Sequence, residues 1–336
     1  MKLTRLRADV LAGLTTSFAL VPECIAFALV AQLNPLMGLY GAFIICTITA
    51  LFGGRPGMVS GAAGSMAVVI IALVVEHGAQ YLLATVLLSG LLMVLFGVLR
   101  LGKLIRMVPH PVMLGFVNGL AIVIALAQLE HLKVDGQWMS GPSLYWMLGL
   151  IAATMLIVYL LPRLTRAIPS ALAAILGLGA ATWFFALPTH TLGDMAPMAG
   201  GLPSIALPDV PWTLDTLRII APYAVLMGLV GLLETLLTLN LTDEITQSRG
   251  HTNRECVALG AANLTSGLCG GMGGCAMIGQ TMINLGSGGR GRLSGVVAGV
   301  MILLYVLFLS PLIEQIPLAA LVGVMFVVAQ QTFAWA

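Results

Sequence analysis

The chain has 336 residues, of which 59% are hydrophobic and only 8% are charged, and its formal net charge is +2. Soluble domains carry about 25% charged residues, so this chain lacks the charges that would cover a water-exposed globule. The composition therefore excludes an ordinary soluble domain and predicts a multi-pass protein surrounded by a lipid bilayer. No nucleic-acid partner is expected from so small a charge excess.

Apolar runs predict twelve membrane segments, which we number 1 to 12 in chain order. They are 10–33, 35–52, 61–75, 80–99, 107–129, 143–161, 169–187, 217–240, 254–269, 273–285, 293–312 and 317–334. A spanning helix needs about 20 apolar residues, and segments 3 and 10 are shorter than this and rich in glycine. The proline-rich stretch 188–216 is predicted to be an outside linker rather than a helix.

The basic residues predict the orientation of the chain. If the N-terminus is cytoplasmic and every segment crosses the bilayer, 13 of the 15 Lys and Arg residues lie inside. Only Lys133 and Arg218 then lie outside. This bias is what the positive-inside rule requires, and it predicts a cytoplasmic N-terminus in a plasma membrane, here the bacterial inner membrane.

Reactive side chains do not form an enzyme-like pattern. The five cysteines include no CxxC pair and are interpreted as small buried hydrophobes. The five histidines lie near segment ends and share no helical face. The sequence therefore predicts no resident metal, no cofactor, no catalytic triad and no enzyme activity.

An internal repeat is indicated by two acids and two glycines. Glu23 in segment 1 and Glu234 in segment 8 are the acids deepest in apolar segments, and they are 211 residues apart. Gly64 and Gly274 open the short segments 3 and 10, at a spacing of 210. Segments 1 and 8 cross in opposite directions, so the halves are predicted to be inverted, as in many secondary transporters.

The two short segments predict a binding site at the middle of the membrane. Helix starts are expected near "GAAGSMA" (61–67) and "GGCAM" (273–277), with the cradle at 64–67 and 274–277. A helix that begins inside the bilayer leaves free N–H groups and the positive end of its dipole. Two such ends that face each other favour a small inorganic anion. The alternative is close helix packing through small residues.

A cation site is predicted beside this cradle. Glu234 and Thr238 are four residues apart and share a helix face. With the backbone carbonyls of Gly274 and Ala276, they would offer the oxygen ligands that suit sodium. Glu234 could instead carry a proton, or act as a structural acid.

Several stretches resemble the SulP anion transporter family. Residues 21–43, "VPECIAFALVAQLNPLMGLYGAF", resemble its first two helices, although Met37 replaces the usual aromatic residue. Residues 108–121 resemble the start of its fifth helix, and 231–271 resemble helices 8 and 9. "GGMGGCAMIGQTMIN" (270–284) resembles helix 10.

The resemblance implies an all-α polytopic fold with seven-plus-seven inverted repeats. Residues 1–190 would form the first repeat, 191–216 the linker and 217–336 the second repeat. Segments 1–4 and 8–11 would form a core domain, and segments 5–7 and 12 a gate domain. The family pattern adds two gate helices and a STAS domain that this chain lacks, so a truncated chain is expected. A homodimer is implied as well.

The resemblance also implies a substrate and a set of binding residues. Many members have arginine where this chain has Gln280. The variant without arginine resembles the sodium-coupled bicarbonate branch, so sodium-coupled symport of bicarbonate or sulfate is expected. The alternatives are a proton-coupled sulfate or dicarboxylate symporter and an uncoupled anion channel or anion sensor. The predicted substrate-binding residues are Glu23, Phe27, Gly64, Ser65, Met66, Cys275, Ala276, Met277, Gly279 and Gln280.

Other roles are open for some polar and aromatic residues. Glu23 could instead tie down the kink at Pro22, and Phe27 could be a core residue. Asn118, Asn263 and Thr265 are interpreted as interhelical hydrogen-bonding residues.

Overall fold

A computed structural model describes residues 2–102, 104, 110–134, 137–164, 169–195 and 201–333. The helices are α1 (Lys2–Val30), α2 (Pro35–Phe52), α3 (Gly64–His77), α4 (Ala79–Val98), α5 (His110–Gln128), α6 (Pro142–Leu164), α7 (Ser170–Phe184), α8 (Leu192–Met195), α9 (Leu214–Thr246), α10 (Thr252–Leu268), α11 (Ile278–Gly286), α12 (Arg292–Glu314) and α13 (Leu318–Thr332). The strands are β1 (Ser60–Ala62), β2 (Lys133–Val134), β3 (Gln137–Trp138) and β4 (Gly274–Ala276). Lys103, Arg106 and Arg166, which the predicted orientation places inside, lie outside the described residues.

Six helices of the described chain are long and apolar enough to cross a membrane, by length and composition. They are α1 from Arg5 onward, α2, α4, α6, α9 and α12. Four shorter apolar helices, of 10–17 residues, lie at 64–77, 117–132, 170–184 and 318–332. The multi-pass character is therefore confirmed, whereas the count of twelve crossings stays a prediction.

Local sequence explains where α2 and α9 begin. The Asn34 side chain caps α2 by accepting a hydrogen bond from Leu36 N at 2.9 Å, and Pro35 occupies the first helical position. Thr213 caps α9 in the same way. The predicted limits of segment 8, 217–240, were too short, because the polar residues beyond its apolar run continue the helix to Thr246.

The described chain is mostly helical, as expected, and it also contains two short antiparallel strand pairs. β1 pairs with β4, with Ser60 opposite Ala276, Gly61 opposite Cys275 and Ala62 opposite Gly274. β2 pairs with β3 in a small hairpin. The pairing of β4 also corrects the predicted start of segment 10: residues 274–276 are extended, so the helix begins only at Ile278.

The chain divides into two compact units. The first comprises residues 1–108 and 201–307, and the second comprises 109–200 and 308–336. In the first unit, α4 and α10 pack closely, since a Cβ on Gly90 would lie 2.8 Å from the Gly260 carbonyl oxygen. In the second, α13 packs on α6, where a Cβ on Gly323 would lie 2.6 Å from Thr154 Cβ. The division into core and gate domains remains a prediction about roles.

Charged residues of the first unit hold the C-terminal end of α2. The Arg292 guanidinium donates to the Ala50 and Leu51 carbonyls, both at 2.9 Å. The buried Glu255 carboxylate accepts from Gly54 N at 2.6 Å and Arg55 N at 3.1 Å. The Arg55 side chain pairs in turn with Asp243 at 3.2 Å. The Arg292 bonds satisfy carbonyls that the end of α2 leaves open, and Glu255 and Asp243 fix the loop residues that follow.

Candidate anion-binding site

The site is built on two strand–helix units of the first compact unit. β1 leads into α3, and β4 leads into α11. The β4–α11 pair follows the β1–α3 pair by 214 residues, from Ser60 to Gly274 and from Gly64 to Ile278. The sequence analysis had matched Gly64 with Gly274 and so predicted a spacing of 210. Gly274 therefore corresponds to Ser60 in the strand and not to the first residue of α3.

The two strand–helix units are also tied to each other outside the strand pair. Met277 N donates to the Val59 carbonyl at 2.9 Å, and the Thr281 hydroxyl accepts from Val59 N at 3.0 Å. The Asn284 amide donates to the Gly57 carbonyl at 2.9 Å. α11 thus holds the residues that lead into β1, so the starts of α3 and α11 share one hydrogen-bonded frame.

Neither α3 nor α11 has a side-chain cap at its N-terminus. Ala63 precedes α3 and Met277 precedes α11, and neither residue can accept a hydrogen bond through its side chain. By contrast, Asn34 caps α2. The first turns of α3 and α11 therefore keep N–H groups that no side chain caps, at the positive ends of their dipoles.

Open space is found at the start of α11 rather than along β4. A Cβ on Gly279 would meet no atom within 4 Å, and Ile278 beside it is 41% exposed. Cys275 and Ala276 are fully buried in the strand pair. Of the predicted cradle, residues 274–276 are thus closed by packing, and the open space lies beside Gly279 in the first turn of α11.

The start of α3 is covered by an aromatic side chain. A Cβ on Gly64 would lie 2.6 Å from Cε1 of Phe27, so only glycine admits the ring at this position. Met66 is fully buried and packs toward α9, where a Cβ on Gly231 would overlap its methyl group. Phe27 therefore packs against the start of α3, its role in substrate binding stays a prediction, and Met66 points into the packed interior.

Glu234 connects α9 to both strand–helix units. Its Oε2 atom accepts a hydrogen bond from the Ser65 hydroxyl and another from the Cys275 thiol at 3.1 Å. The Thr238 hydroxyl donates to the Glu234 backbone carbonyl at 2.8 Å, and its oxygen keeps lone pairs for a cation, so its predicted role as a cation ligand stays a prediction. The structure thus brings together Glu234, which was predicted for the cation site, with Ser65 and Cys275, which were predicted for the anion site.

Glu23 of α1 lies close to Gln280 of α11. The Gln280 side chain faces the Glu23 carboxyl and is 1% exposed. Apart from this contact with Glu23, neither polar atom of the amide has a hydrogen-bond partner within the described residues. The part that Glu23 and Gln280 play in anion binding stays a prediction.

Two further residues position β4. Asn263 was predicted only as an interhelical hydrogen-bonding residue, and Thr235 was not predicted. The Asn263 amide brackets Gly274, accepting from its N–H and donating to its carbonyl, both at 3.0 Å. The Thr235 hydroxyl accepts from Ala276 N at 3.0 Å. Asn263 therefore does bind another element, as the sequence suggested. The Thr265 hydroxyl donates to the Ala261 carbonyl of its own helix at 2.9 Å, and its interhelical role stays a prediction.

The arrangement has donors for an anion and one carboxylate for a cation. Among the described residues, no group of three or more His, Cys, Asp or Glu side chains could hold a metal ion. Any cation at Glu234 would therefore depend on hydroxyl and backbone oxygens as well.

Comparison with known proteins identifies the family. Residues 6–334 match the sulfate permease family. The chain belongs to this family. Membership places it among transport proteins rather than enzymes.

Curated members of the sulfate permease family are similar over nearly the whole chain. A putative sulfate transporter of Bacillus subtilis, YbaR, is 46% identical over 98% of this chain and 67% of its own length. The bicarbonate transporter BicA of a Picosynechococcus strain is 31% identical over 98% of this chain and 62% of its own length. The chain thus spans about two thirds of the length of these relatives.

Two solved transporter structures share the fold of this chain. The transmembrane domain of a cyanobacterial BicA superposes with a TM-score of 0.87 at 29% identity, over 98% of this chain and 90% of that one. Murine Slc26a9 in its inward-facing state gives a TM-score of 0.81 at 16% identity, over 97% of this chain and 60% of that one. At that identity the second likeness shows the fold alone.

Proposed function

We propose that this chain is the membrane part of a secondary transporter for a small inorganic anion, bicarbonate or sulfate, working by alternating access. The observation that carries the proposal is the pair of uncapped helix starts, with open space at Gly279. Relatives named for sulfate and bicarbonate support the substrate class. The protein would be a homodimer in the bacterial inner membrane, with a cytoplasmic N-terminus and separate core and gate domains.

Sodium is the proposed second substrate, and Glu234 is the residue that would bind it. Both donors to this carboxylate converge on Oε2, which leaves Oε1 for a cation. Two helix ends supply roughly half a charge each at best, and Gln280 adds no full charge. A sodium ion would supply the missing positive charge and neutralise a costly buried acid.

Thermal unfolding of the purified protein tests the proposal across an anion panel, with sodium or with a large organic cation. Ligands that bind the folded state raise its melting temperature. Because linkage is reciprocal, sodium should tighten anion binding and the anion should tighten sodium binding. Glu234→Gln should lose the sodium effect, whereas Glu76→Gln, at an acid 67% exposed, should keep it. Equal anion affinity in both cations would refute sodium coupling.

Proton coupling through Glu234 is the second candidate. The Ser65 and Cys275 donors already occupy one carboxylate oxygen, and a proton on the other would neutralise the acid without any cation ligand. Anion uptake would then depend on pH at constant sodium and persist without sodium. Saturable uptake into proteoliposomes separates both symport mechanisms from a channel.

A further inference from the structure

Two arginines from different helices meet at the C-terminal end of α2. Arg292, the first residue of α12, donates to the Leu51 carbonyl at 2.9 Å and to the Gly53 carbonyl at 2.8 Å. Arg254 of α10 donates to the Phe52 carbonyl between them at 2.8 Å. Consecutive residues are only about 3.8 Å apart along the chain, so the two guanidinium groups lie side by side. The negative end of the α2 dipole offsets part of their mutual repulsion.

Neither of these arginines forms an ion pair with an acid within the described residues. Glu255 and Asp9 lie nearby, but backbone N–H groups already engage their carboxylates, from Gly54 at 2.6 Å and from Arg290 at 2.9 Å. A guanidinium has five N–H donors. The bonds to α2 use one of these donors in the α10 arginine and at most three in the α12 arginine, so both keep donors for an anion.

The same end of α2 is apolar and lies at the level of the membrane surface. Leu51 is 45% exposed and Phe52 is 62% exposed. α2 has 18 residues and is therefore about 27 Å long, close to the thickness of a hydrocarbon core of about 30 Å. α12, a second candidate span, begins beside this end, since a Cβ on Gly295 would lie 2.7 Å from Ala50 Cβ. Both helices therefore reach the headgroup level here.

We propose that Arg254 and Arg292 bind the phosphate of an anionic phospholipid, whose acyl chains lie along the exposed apolar end of α2. The planar donor fork of a guanidinium matches phosphate oxygens, and Leu51 and Phe52 offer apolar surface to the chains. A zwitterionic lipid also carries a phosphate, but its positive headgroup charge would meet two arginines. Phosphatidylglycerol has no such charge and is therefore the preferred lipid.

The size of the preference follows from the number of arginines. One arginine near a membrane surface contributes about fivefold to the affinity for an anionic lipid. Two arginines should therefore favour phosphatidylglycerol over phosphatidylcholine by up to about 25-fold at low salt. Arg254 is exposed and Arg292 is half-buried, so added salt should screen both charges and reduce this preference.

The experiment is native mass spectrometry of the purified full chain in a neutral detergent with equal amounts of phosphatidylglycerol and phosphatidylcholine. The ratio of the two lipid-bound species measures the preference. Arg254→Gln removes one guanidinium and should lower this ratio by up to about fivefold. Arg249→Gln makes the same chemical change at an exposed arginine in the loop before α10 and should keep the wild-type ratio. A loss of stability alone would leave the ratio unchanged, because both lipids bind the same folded molecules.

Three results would overturn the proposal. The first is a wild-type ratio near one, or a ratio that does not fall as salt is raised, and this measurement stands even if Arg254→Gln fails to fold. The second is an equal loss in Arg254→Gln and Arg249→Gln, because the preference would then come from diffuse surface charge. The third is displacement of phosphatidylglycerol by an equal concentration of soluble glycerol 3-phosphate, which would show that the two arginines bind a free phosphate rather than a lipid.

Discussion

Replacing Gly279 by leucine would test the anion cradle directly. A Cβ at this position meets no atom within 4 Å, so the substitution causes no clash with the protein, and leucine favours a helix over glycine by up to about 1 kcal/mol. The leucine side chain would occupy the space in front of the first turn of α11. Loss of two charge-assisted hydrogen bonds of about 1.5–3 kcal/mol each would raise the anion Kd at least about 100-fold.

The assay is anion-dependent thermal stabilisation of Gly279→Leu beside a matched control, Gly286→Leu. Gly286 ends the same helix, and a Cβ there also meets no atom within 4 Å. Both variants should unfold without anion at the wild-type temperature or slightly above it, and only Gly279→Leu should lose stabilisation by the anion. A folded Gly279→Leu variant with wild-type anion affinity would refute the placement of the cradle. Gly274 is unsuitable for this test, because a Cβ there would overlap the Gly61 carbonyl.

Three further substitutions test the supporting structure. Asn263→Ala should destabilise the protein by about 2–4 kcal/mol, since it leaves both buried backbone groups of Gly274 without partners; an unchanged melting temperature would contradict this role. Arg55→Met should lower the free energy of unfolding by about 3 kcal/mol, because it leaves Asp243 without its guanidinium partner. The melting temperature measures this loss of stability, and an unchanged melting temperature would show that the ion pair contributes nothing. Hydrogen bonds from the backbone and side chain of Thr191 lower the pKa of Asp194, so this contribution to stability is present above the unfolded pKa of about 4 and is lost as the pH falls through the folded pKa. In Asp194→Asn that acid-dependent part of the melting-temperature profile should disappear, and an identical profile would contradict the assignment.

The helices could be predicted from the sequence because their signal is local. Long apolar runs and the caps at Asn34 and Thr213 mark most of them. The start of α11 could not be placed, because residues 274–276 are held extended by β1, more than 200 residues away. Nothing in "GGCAM" alone distinguishes a helix start from a paired strand.

The sequence predicted which residues belong to the candidate site, but not which of them form hydrogen bonds with one another. Glu234 was recognisable as an acid deep in an apolar segment, and its neighbour Thr238 followed from helical spacing. Its actual partners, Ser65 and Cys275, lie 169 and 41 residues away in the chain. The roles of Thr235, Thr281 and Asn284 likewise depend on which loop each helix meets in space, and helical periodicity carries no information about that.

The shared frame of α3 and α11 has a consequence for the energetics of transport. β1 and β4 exchange backbone hydrogen bonds, and Met277 and Thr281 fasten Val59, so neither helix start can withdraw from the anion alone. A ligand site that keeps its shape has the same intrinsic dissociation constant whichever side of the membrane it faces. In the proposed transport cycle, any difference in anion affinity between the two sides of the membrane would then have to come from elements outside β1, β4, α3 and α11.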